Sequence, residues 1–534
     1  MRRFGLIAAL VLAVAVTAGN VYGEESTYGV YDIRHYGAAG DGTTLDTKAI
    51  QSAVDACSKT GGEVLFTPGT YVSGTIFMKS GVTLRLMTGA VLLGSPYLKD
   101  YPETTPKIRS WTDRYVCRSL IYGEGVENVA IVGGGTIDGN GHGPEFQEAG
   151  YTLRTRPYII RFISSSGVTL RDIFLTRSPM WMQHYLECDH VTLRGVRVYN
   201  HGNRNNDSVD IDGCSHVVIS DCIFDSDDDA ITLKSTSPAV TSNVAITNCI
   251  ASSHCNAIKM GTESHGGFKN VAISNCTITP SRNEAVVYGR SDGHAGIALE
   301  IVDGGVMDGI VITNITIERV RTPLFVRLGN RARQYTESVP VPGVGALRNV
   351  TISNVTARGT SPASSSITGI PGFPVENITL RDIRILCPGG GTAEYAAREV
   401  PEVENKYPES SMFGESLPAF GLYIRHAKHL SMDNVRFILE QPDERPALVC
   451  DDVRGLDIVG LKADTPSGYE PVARLVDTRD ALVRGCRAEE GTGTFLEVCG
   501  VTSESITLSG NDLDRADTTV RNGVSVPSGV VRIR

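Results

Sequence analysis

The sequence predicts an all-β fold, a single-stranded parallel β-helix with a short capping helix near its N-terminus. Three observations support this prediction: a six-residue motif that recurs along the chain, alternating apolar residues within each copy, and a turn-forming residue at the fifth position. The glycine content, 57 of 534 residues, is typical of turn-rich β architecture rather than of helical bundles.

The recurring motif appears in forms such as VTLRDI, VVISDC, VAITNC and VTISNV, with most copies about 23 to 28 residues apart. Its first and third positions are apolar, which is the period of a strand that buries one face. Units of this length cannot bury a face alone and must stack on one another, which predicts the coils of a parallel β-helix. A β-propeller needs about 40 to 50 residues per repeat and is disfavoured.

The fifth position of the motif is always Gly, Asn or Asp, the residue types that adopt left-handed backbone geometry most readily. We therefore expect one ladder of sharp corners, at Gly133, Asp172, Gly195, Asp221, Asn248, Asn275, Asn314, Asn354, Asp382, Asn434, Gly460, Gly485 and Gly510. The sixth position points inward, and four copies carry a cysteine there: Cys222, Cys249, Cys276 and Cys486. We expect these cysteines to be reduced core residues rather than disulfide partners.

Two segments precede the repeats. Residues 1–23 combine a basic start, an apolar run of about a dozen residues and small residues, which predicts a secretory signal peptide. The segment DTKAIQSAVDAC, Asp46 to Cys57, predicts an amphipathic helix with Asp46 as its N-cap, covering the exposed edge of the first coil. We therefore expect a single β-helix domain over residues 24–534, in a protein that is secreted or periplasmic and free of the membrane after cleavage.

The charge balance limits the partners of the protein. A net charge of −10 argues against binding to nucleic acid or to anionic membranes. An acidic substrate can still bind where local Lys and Arg side chains outweigh the overall field. No cofactor or metal is predicted, and the protein is expected to be a monomer.

The segment DSDDDAITLKS concentrates four aspartates just before an alternating strand. Alignment of NNDSVDI, DDDAITL and HCNAIKM from three successive coils places Asp207, Asp229 and Asn256 at one shared position. Asp228 lies beside them, and Trp181 of the preceding coil lies near the same place. Because neighbouring coils are about 4.8 Å apart, we expect the carboxylates to form one cluster on the outside of the helix.

Three interpretations of this cluster are open. It is a solvated acidic turn, or a calcium site, since clustered carboxylates suit a hard cation. Alternatively it is a catalytic set, in which repulsion raises the pKa of one carboxyl group so that it stays protonated as a general acid. Its neighbours then stay ionised and activate water, which is the division of labour that glycoside hydrolysis requires.

The aspartate motifs resemble those of glycoside hydrolase family 28, the polygalacturonase-like enzymes. The segment YDIRHYGAAGDGTTLDTKAIQSAVDAC is also similar to the start of those enzymes, so the resemblance covers nearly all of the chain after residue 23. The family's N-T-D motif matches Asn205–Asp207, and its G-D-D motif matches Asp227–Asp229 with the first glycine replaced. The resemblance implies a right-handed β-helix and inversion at the anomeric carbon. It also implies that Asp228 is the general acid and that Asp207 and Asp229 hold the attacking water.

Two other family motifs are altered in this chain. The G-H-G motif falls on Cys255–Ala257, so its histidine is absent, and His254 lies two positions away. The R-I-K motif, which in the family grips the substrate carboxylate, falls on Ala298–Glu300. We expect Asn205, His254 and Asn256 to contact the substrate, and cations elsewhere to replace the missing pair, because a uronate carboxylate needs one.

Three cationic side chains are candidates for that replacement. Lys259 alternates with the inward residues Ile258 and Met260, so it should face the same groove as the aspartates. Arg290 and Arg327 lie on the following coils. For each of the three, a surface salt bridge is an equally good interpretation.

The sequence thus predicts an inverting O-glycosyl hydrolase that acts on galacturonate-containing pectic polysaccharides. One alternative is a calcium-dependent pectate lyase on the same fold, and another is a non-catalytic β-helix that binds glycans. The paired match at the two aspartate motifs favours the hydrolase. The sequence indicates neither the sugar at the scissile bond nor whether cleavage is internal or at a chain end.

Overall fold

A computed structural model describes residues 29–146, 155–468, 470–523 and 525–534, so the predicted signal segment, residues 1–23, lies outside the described residues. Within these ranges, 39 strands pair in parallel into one continuous sheet that winds into a β-helix. Each strand pairs with its counterpart in the next coil, which produces three faces, named here sheets A, B and C. The predicted fold class is therefore confirmed.

The three sheets are defined by their strands. Sheet A contains Val30–Asp32, Gly62–Phe66, Val82–Leu86, Glu127–Val132, Ser166–Arg171, Asp189–Arg194, Ser215–Ser220, Thr241–Thr247, Gly267–Thr279, Val306–Val320, Ala346–Gly359, Val375–Cys387, Leu422–Leu439, Leu448–Val459, Arg479–Arg484, Glu504–Ser509 and Val531–Ile533. Sheet B contains Asp41–Leu45, Gly69–Ser73, Ala90–Gly94, Thr136–Asp138, Phe174–Thr176, Arg197–Tyr199, Ile223–Ser226, Ile250–Ser253 and Lys462–Ala463. Sheet C contains Ile76–Phe77, Ser119–Glu124, Tyr158–Ile163, Gln183–Leu186, Val209–Asp212, Ile231–Ser235, Asn256–Ser264, Ala295–Ile301, Thr322–Leu328, Ser365–Thr368, Pro471–Val476, Thr492–Cys499 and Ala516–Asn522.

Several long strands turn a corner without a break in pairing. The last parts of Gly267–Thr279, Val306–Val320, Ala346–Gly359 and Val375–Cys387 continue into sheet B. Leu422–Leu439 and Leu448–Val459 begin in sheet C. The helical segments are Thr47–Cys57 and Ala393–Ala396, with 3₁₀ turns at Ile33–Tyr36, Leu98–Asp100, Trp111–Arg114 and Pro144–Phe146.

The corner between sheets A and B is formed by the predicted ladder. All thirteen of its residues have positive φ, from +50° at Asn354 to +112° at Gly133. Its asparagines also bond to one another, since the Asn314 Nδ2 donates to the Asn275 Oδ1 at 3.0 Å and the Asn354 Nδ2 donates to the Asn314 Oδ1 at 2.6 Å. Corner geometry and a side-chain ladder therefore favour the same residue type.

A second corner, between sheets C and A, was missed in the sequence. The residue immediately before the motif also has positive φ in most coils, for example +54° at Asn243 and +55° at Asn349. The signal was present as the Asn, Gly or His that precedes the first apolar residue of many copies. Two left-handed residues per coil thus frame each strand of sheet A.

Substitution of Asn354 tests the corner directly. The variants Asn354→Ala and Asn354→Gly both lose the amide bond to Asn314, and they differ only in the Cβ that is strained at φ +50°. We expect the alanine variant to be less stable than the glycine variant by about 1–2 kcal/mol. Urea unfolding of the two proteins measures the difference, and equal stabilities would contradict a strained corner.

The core lies inside the coils and includes the predicted cysteines. Cys222, Cys249, Cys276 and Cys486 are free thiols, and the first three stack in successive coils. Each thiol donates to the carbonyl two residues before it, at 3.2 Å, 3.3 Å and 3.2 Å. The prediction of reduced core cysteines is therefore confirmed.

The helix Thr47–Cys57 buries Ile50, Ala53 and Val54 against the first coils, as predicted. The prediction that Asp46 caps this helix was correct in position, but the expected side-chain hydrogen bond is absent. Asp46 occupies the N-cap position, but its side chain makes no bond to the helix. With φ −91° and ψ 1° it is not extended, and its carboxylate accepts instead from the amides of Ala39 at 2.7 Å and Gly40 at 3.1 Å.

Long connections around sheet C frame its outer face. Segments 95–118, 200–208, 280–294 and 388–421 lead into sheet C, and segment 329–345 leads out of it. The described helices include none that is long and apolar enough to span a membrane. The outer face of sheet C is where the aspartate cluster lies.

Candidate active site

Asp207, Asp228 and Asp229 come together where connections enter sheet C. Asp207 precedes the strand Val209–Asp212, and the other two aspartates precede Ile231–Ser235. The Ser208 amide donates to the Asp229 carbonyl at 3.0 Å, which sets the predicted register between the coils. One oxygen of each carboxyl group lies within 4.8 Å of the others, and all three residues are buried.

The position of Asp228 is fixed mainly through its backbone. Its amide donates to the Asn206 Oδ1 at 3.0 Å, and its carbonyl accepts from the hydroxyls of Ser226 at 2.8 Å and Ser253 at 2.7 Å. Its Oδ1 accepts from the Asp229 amide at 2.9 Å. Asp228 also lines a cavity.

Asp229 is held by three donors. The Asn256 amide and Nδ2 donate to its Oδ1 at 3.0 Å and 2.8 Å, and the Lys259 Nζ donates to its Oδ2 at 2.8 Å. Lys259 therefore faces the groove, as its alternation with inward residues predicted. Its nearest partner, however, is Asp229, so the lysine serves first as the counter-charge of that carboxylate.

A second lysine, which sequence reasoning missed, lies beside Asp207. The Lys234 Nζ is 3.6 Å from the Asp207 carboxylate, 3.4 Å from Asp210 and 3.5 Å from Glu263. It also lies 4.5 Å from the ring centre of Trp181. The alternation of ITLKS, which turns Ile231 and Leu233 inward, is the signal that could have identified it.

The charges around the cluster separate the three carboxyl groups. Burial, and then repulsion from Asp207 and Asp229, raises the pKa of Asp228 well above its usual range. Burial also acts to raise the pKa of Asp229, but Lys259 and Lys234 outweigh it and keep that pKa below its usual range. The site thus places a carboxyl group whose pKa is raised next to one whose pKa is lowered.

Asp207 has a different neighbour. Burial, and then repulsion from Asp210, raises its pKa well above the usual range, against the attraction of Lys234. Burial raises the pKa of Asp210 to about 8. Burial and mutual repulsion thus raise the pKa of both groups, and among Asp207, Asp228 and Asp229 only Asp229 has a lowered pKa.

The aspartates open onto a cavity of about 530 Å³. Its lining combines acidic, basic and aromatic side chains, the combination suited to a polar, ring-shaped ligand such as a sugar. It is lined by Trp111, Arg114, Tyr115, Trp181, Asn205, Asp207, Asp228, Asp229, Lys234, Lys259, Glu263, Tyr288, Arg333, Tyr407 and Glu409.

Of the predicted substrate contacts, Asn205 and Lys259 line this cavity. Asn256 lies behind Asp229 and orients it, as described above. His254 is fully buried away from the cavity, with its Nδ1 3.0 Å from Asp227 and its Nε2 2.9 Å from the Asn283 carbonyl. The structure therefore does not bring His254 to the substrate side, because both of its ring nitrogens are engaged behind the site.

The two predicted arginines also lie outside the cavity. Arg290 is exposed and pairs with Asp292 at 3.3 Å. Arg327 is 1% exposed and donates to the carbonyls of Gly369 at 3.0 Å and Glu402 at 2.8 Å. Arg290 makes the salt bridge that was its alternative interpretation, and Arg327 anchors a loop instead of contacting the cavity.

The cavity is closed on the N-terminal side of sheet C by the turn Trp111–Arg114. Asp113 in that turn accepts from both terminal nitrogens of Arg161, at 2.6 Å and 2.8 Å, on the outer face of sheet C. The Tyr335 hydroxyl donates to the Arg109 carbonyl at 2.7 Å and joins this segment to the connection 329–345. Two connections from opposite sides therefore meet across the sheet.

The other side of the cavity is closed by the segment 398–413. Arg327 holds its Glu402 carbonyl, and the Asn330 amide donates to the Glu404 carbonyl at 2.7 Å. Tyr407 from this segment lies 3.5 Å from the Lys259 Nζ. The turn Trp111–Arg114 and the segment 398–413 thus line the cavity on either side of the aspartates.

Comparison with known proteins finds relatives of similar sequence. The chain is 34% identical over 212 residues to a probable polygalacturonase of Vitis vinifera, covering 38% of this chain and 43% of that protein. It is 43% identical over 120 residues to an exo-poly-alpha-D-galacturonosidase of Dickeya chrysanthemi, covering 21% and 20% of the two chains. The chain therefore spans less than half the length of these relatives.

Among solved structures, an exopolygalacturonase from Thermotoga maritima shares the fold, with a TM-score of 0.60 and 19% identity over 77% of this chain and 91% of that one. A model of rhamnogalacturonase A/epimerase, pectate lyase-like proteins matches residues 30–102. The model of glycosyl hydrolases family 28 matches residues 78–405, which is more than half of the chain and includes every aspartate of the site. The protein belongs to glycosyl hydrolases family 28.

Proposed function

We propose that this protein is an inverting glycoside hydrolase that cleaves galacturonate-containing pectic polysaccharides. The observation that carries the proposal is the adjacent pair Asp228 and Asp229 at the wall of the pocket, the first with a raised and the second with a lowered pKa. This pair supplies the acid and the base that glycoside hydrolysis needs. The relatives named as polygalacturonases support the choice of substrate.

In the proposed reaction, Asp228 gives its proton to the glycosidic oxygen as the bond to the anomeric carbon breaks. Asp229 takes a proton from a water molecule, whose oxygen forms the new bond to that carbon, and Asp207 helps to hold the water. The products are two hydroxyl-ended sugars, and the proton gained by Asp229 returns to Asp228 through solvent. Protons and electron pairs balance without any other reactant.

We assign inversion of configuration from the family resemblance and not from the spacing of the carboxyl groups. Inverting enzymes usually separate their two carboxyl groups by about 6.5–9.5 Å, and retaining enzymes by about 5–5.5 Å. The three groups here lie within 4.8 Å of one another. We expect the initial product to have inverted configuration by proton NMR, and a retained configuration would identify one aspartate as a nucleophile.

The lyase alternative is disfavoured by the two lysines. Lys234 and Lys259 lie within 4 Å of the carboxylates and supply the positive charge that a calcium ion would otherwise supply. A calcium ion in the same place would be repelled by both ammonium groups. A lyase also needs a basic side chain to abstract a proton, and both of these lysines are paired.

We further propose that the enzyme acts at chain ends. The turn Trp111–Arg114 and the segment 398–413 line the cavity on either side of the aspartates, and we expect them to obstruct a polysaccharide that runs along sheet C. Digestion of polygalacturonan, rhamnogalacturonan and neutral glycans, with sizing of the products over time, tests both substrate and mode. We expect short products from a uronide without an early fall in polymer length. Unsaturated products that absorb ultraviolet light would overturn the hydrolase proposal.

Recognition of the uronate carboxylate is proposed for Arg114 and Arg333. Their guanidinium groups lie 3.8 Å and 4.7 Å from the ring centre of Trp111, at the mouth of the pocket. Arg114 is exposed and forms no ion pair with the described residues, whereas Arg333 donates to Glu263 at 2.9 Å. Arg114 therefore retains more donors for a ligand.

The variant Arg114→Gln tests this assignment. Loss of a charge-assisted hydrogen bond of about 1.5–3 kcal/mol should raise the KM for a uronide about tenfold or more. Hydrolysis of a neutral glycoside, if it occurs, should be unchanged. Arg290→Gln is the matched control, because Arg290 is an exposed arginine outside the pocket. An equal effect of both variants would place carboxylate recognition elsewhere.

A further inference from the structure

Two aspartates of the DSDDD cluster turn away from the pocket and pair with histidines. The His201 Nδ1 is 2.9 Å from the Asp227 Oδ1, and its Nε2 is 3.1 Å from the Asp225 Oδ1. The His254 Nδ1 is 3.0 Å from the same Asp227 Oδ1. All four side chains are buried. The cluster therefore contains a second ionic group, directly behind the catalytic one.

The hydrogen-bond partners determine the protonation of these rings. Both ring nitrogens of His201 face carboxylates, and the Nε2 of His254 faces the Asn283 carbonyl at 2.9 Å, which can only accept. The Asp227 Oδ1 lies between the two Nδ1 atoms, so a proton placed on this oxygen could be donated to one ring at most. Because Asp225 and Asp227 have lowered pKa values and accept, His201 forms its full set of bonds as an imidazolium ion, with both ring nitrogens donating.

Other groups around the rings fit this charge state. The Tyr199 ring lies 4.7 Å from the His201 ring, the Ser281 hydroxyl donates to Asp225 at 2.7 Å, and the Arg282 Nε lies 3.4 Å from the same carboxylate. Burial acts to lower the pKa of His201, but Asp225 and Asp227 outweigh it and hold that pKa above its usual value. The carboxylates of Asp225 and Asp227 thus balance the charge of the His201 imidazolium ion.

Asp227 connects this group to the catalytic residues. Its Oδ2 accepts from the Gly202 amide at 2.6 Å and from the Asn206 Nδ2 at 3.2 Å. Asn206 in turn accepts from the Asp228 amide at 3.0 Å and directly precedes Asp207 in the chain. The carboxylate between the histidines therefore positions both segments that carry the catalytic carboxyl groups.

We propose that His201, as an imidazolium ion, and His254 are positioning residues that hold Asp227 and thereby align Asp228 with Asp207. The proposal deepens the hydrolase function and depends on it for its effect on rate. When His201 loses its proton, one of its two bonds to a carboxylate is lost, and Asp227, which also accepts from Asn206, loses part of its support. Activity should then fall reversibly.

The direction of the pH effect follows from the raised pKa of His201. A histidine whose pKa is higher in the folded protein stabilises its surroundings at low pH, and this stabilisation is lost as the pH rises through the folded-state pKa. The bonds of His201 to Asp225 and Asp227 are therefore all present below about pH 6.5, the ordinary pKa of histidine. One of them is lost as the pH rises above the raised pKa of His201. The alkaline limb of kcat should contain this transition in addition to the titration of Asp228.

The first measurement is independent of activity. Histidine-selective labelling and NMR titration of the whole protein report the protonation of each ring, with His201→Gln and His254→Gln used only to assign the signals. We expect the His201 ring to be doubly protonated at pH 7. A neutral His201 ring at that pH would overturn the proposal, even if the protein is an active hydrolase. Conversely, a charged His201 ring in a protein without hydrolase activity would contradict the proposed function alone.

The second measurement compares kinetics. The two glutamine variants should lower kcat on the order of ten- to a hundredfold with little change in KM, because a displaced acid affects the transition state more than binding. The alkaline limb of His201→Gln should keep only the Asp228 titration. His190→Gln is the control, since His190 pairs with Asp189 at 2.5 Å on the exposed surface. An unchanged kcat in both folded variants would also overturn the proposal.

Discussion

Replacement of Asp228 by Asn should lower kcat on a uronide substrate on the order of a hundredfold or more, because the variant cannot protonate the leaving oxygen. KM should change little, since Asn keeps the shape of the side chain and can still accept from the Asp229 amide. Steady-state kinetics on the substrate identified by digestion measures the loss. Near-normal turnover would contradict the role of Asp228 as the general acid.

The same variant should not lose stability at neutral pH. The pKa of Asp228 is raised in the folded protein. Above the pKa of an Asp side chain in the unfolded chain, about 3.9, folding must therefore either bind a proton at Asp228 or bury its charge, and both reduce the free energy of unfolding. Asn removes this penalty, and the Tm of the variant at pH 7 should equal or exceed that of the unchanged protein, with the difference shrinking near pH 4. Asp221→Asn, at an exposed corner that Asn also occupies in other coils, is the matched control. A lower Tm at pH 7 would mean that Asp228 is ionised in the fold.

Replacement of Lys259 by Met should affect both activity and stability. The variant leaves the buried Asp229 without its counter-charge, and breaking a buried ion pair in this way costs about 3–5 kcal/mol. The pKa of Asp229 should rise, which moves the acidic limb of the pH–rate profile to higher pH. Because a lowered pKa stabilises the fold only while the group is ionised, the loss of stability should be largest at neutral pH and smaller in acid.

This expectation differs from that for a substrate-binding lysine. If Lys259 supports Asp229, Lys259→Met should reduce hydrolysis of uronides and of any neutral glycoside equally. If it mainly binds the uronate carboxylate, only uronide hydrolysis should fall, and the acidic limb should stay in place. Lys269→Met, at an exposed position on sheet A, controls for the loss of a lysine elsewhere on the helix.

The sequence pattern was enough to predict the coils, because each coil needs the same alternation of apolar residues and the same corner residue within a short stretch of chain. Apolar residues at every second position define the strands, and positions such as Asn354 need a residue that accepts positive φ. The same register brings Asp207, Asp229 and Asn256 onto adjacent coils and turns Lys259 outward. A one-residue shift would turn each of these side chains to the other face, so the core pattern also determines the site.

The tertiary structure alone decided which other residues share the pocket and which serve it from behind. Tyr407 contacts Lys259 from 148 residues away, and Tyr335 bonds to Arg109 across 226 residues, so no local pattern could indicate either contact. Arg327 faces outward like Lys259, yet a loop arriving from residues 398–413 covers it and takes its hydrogen bonds. The repeat thus determines the direction of each side chain, whereas long connections between coils determine which of those side chains remain open to a substrate.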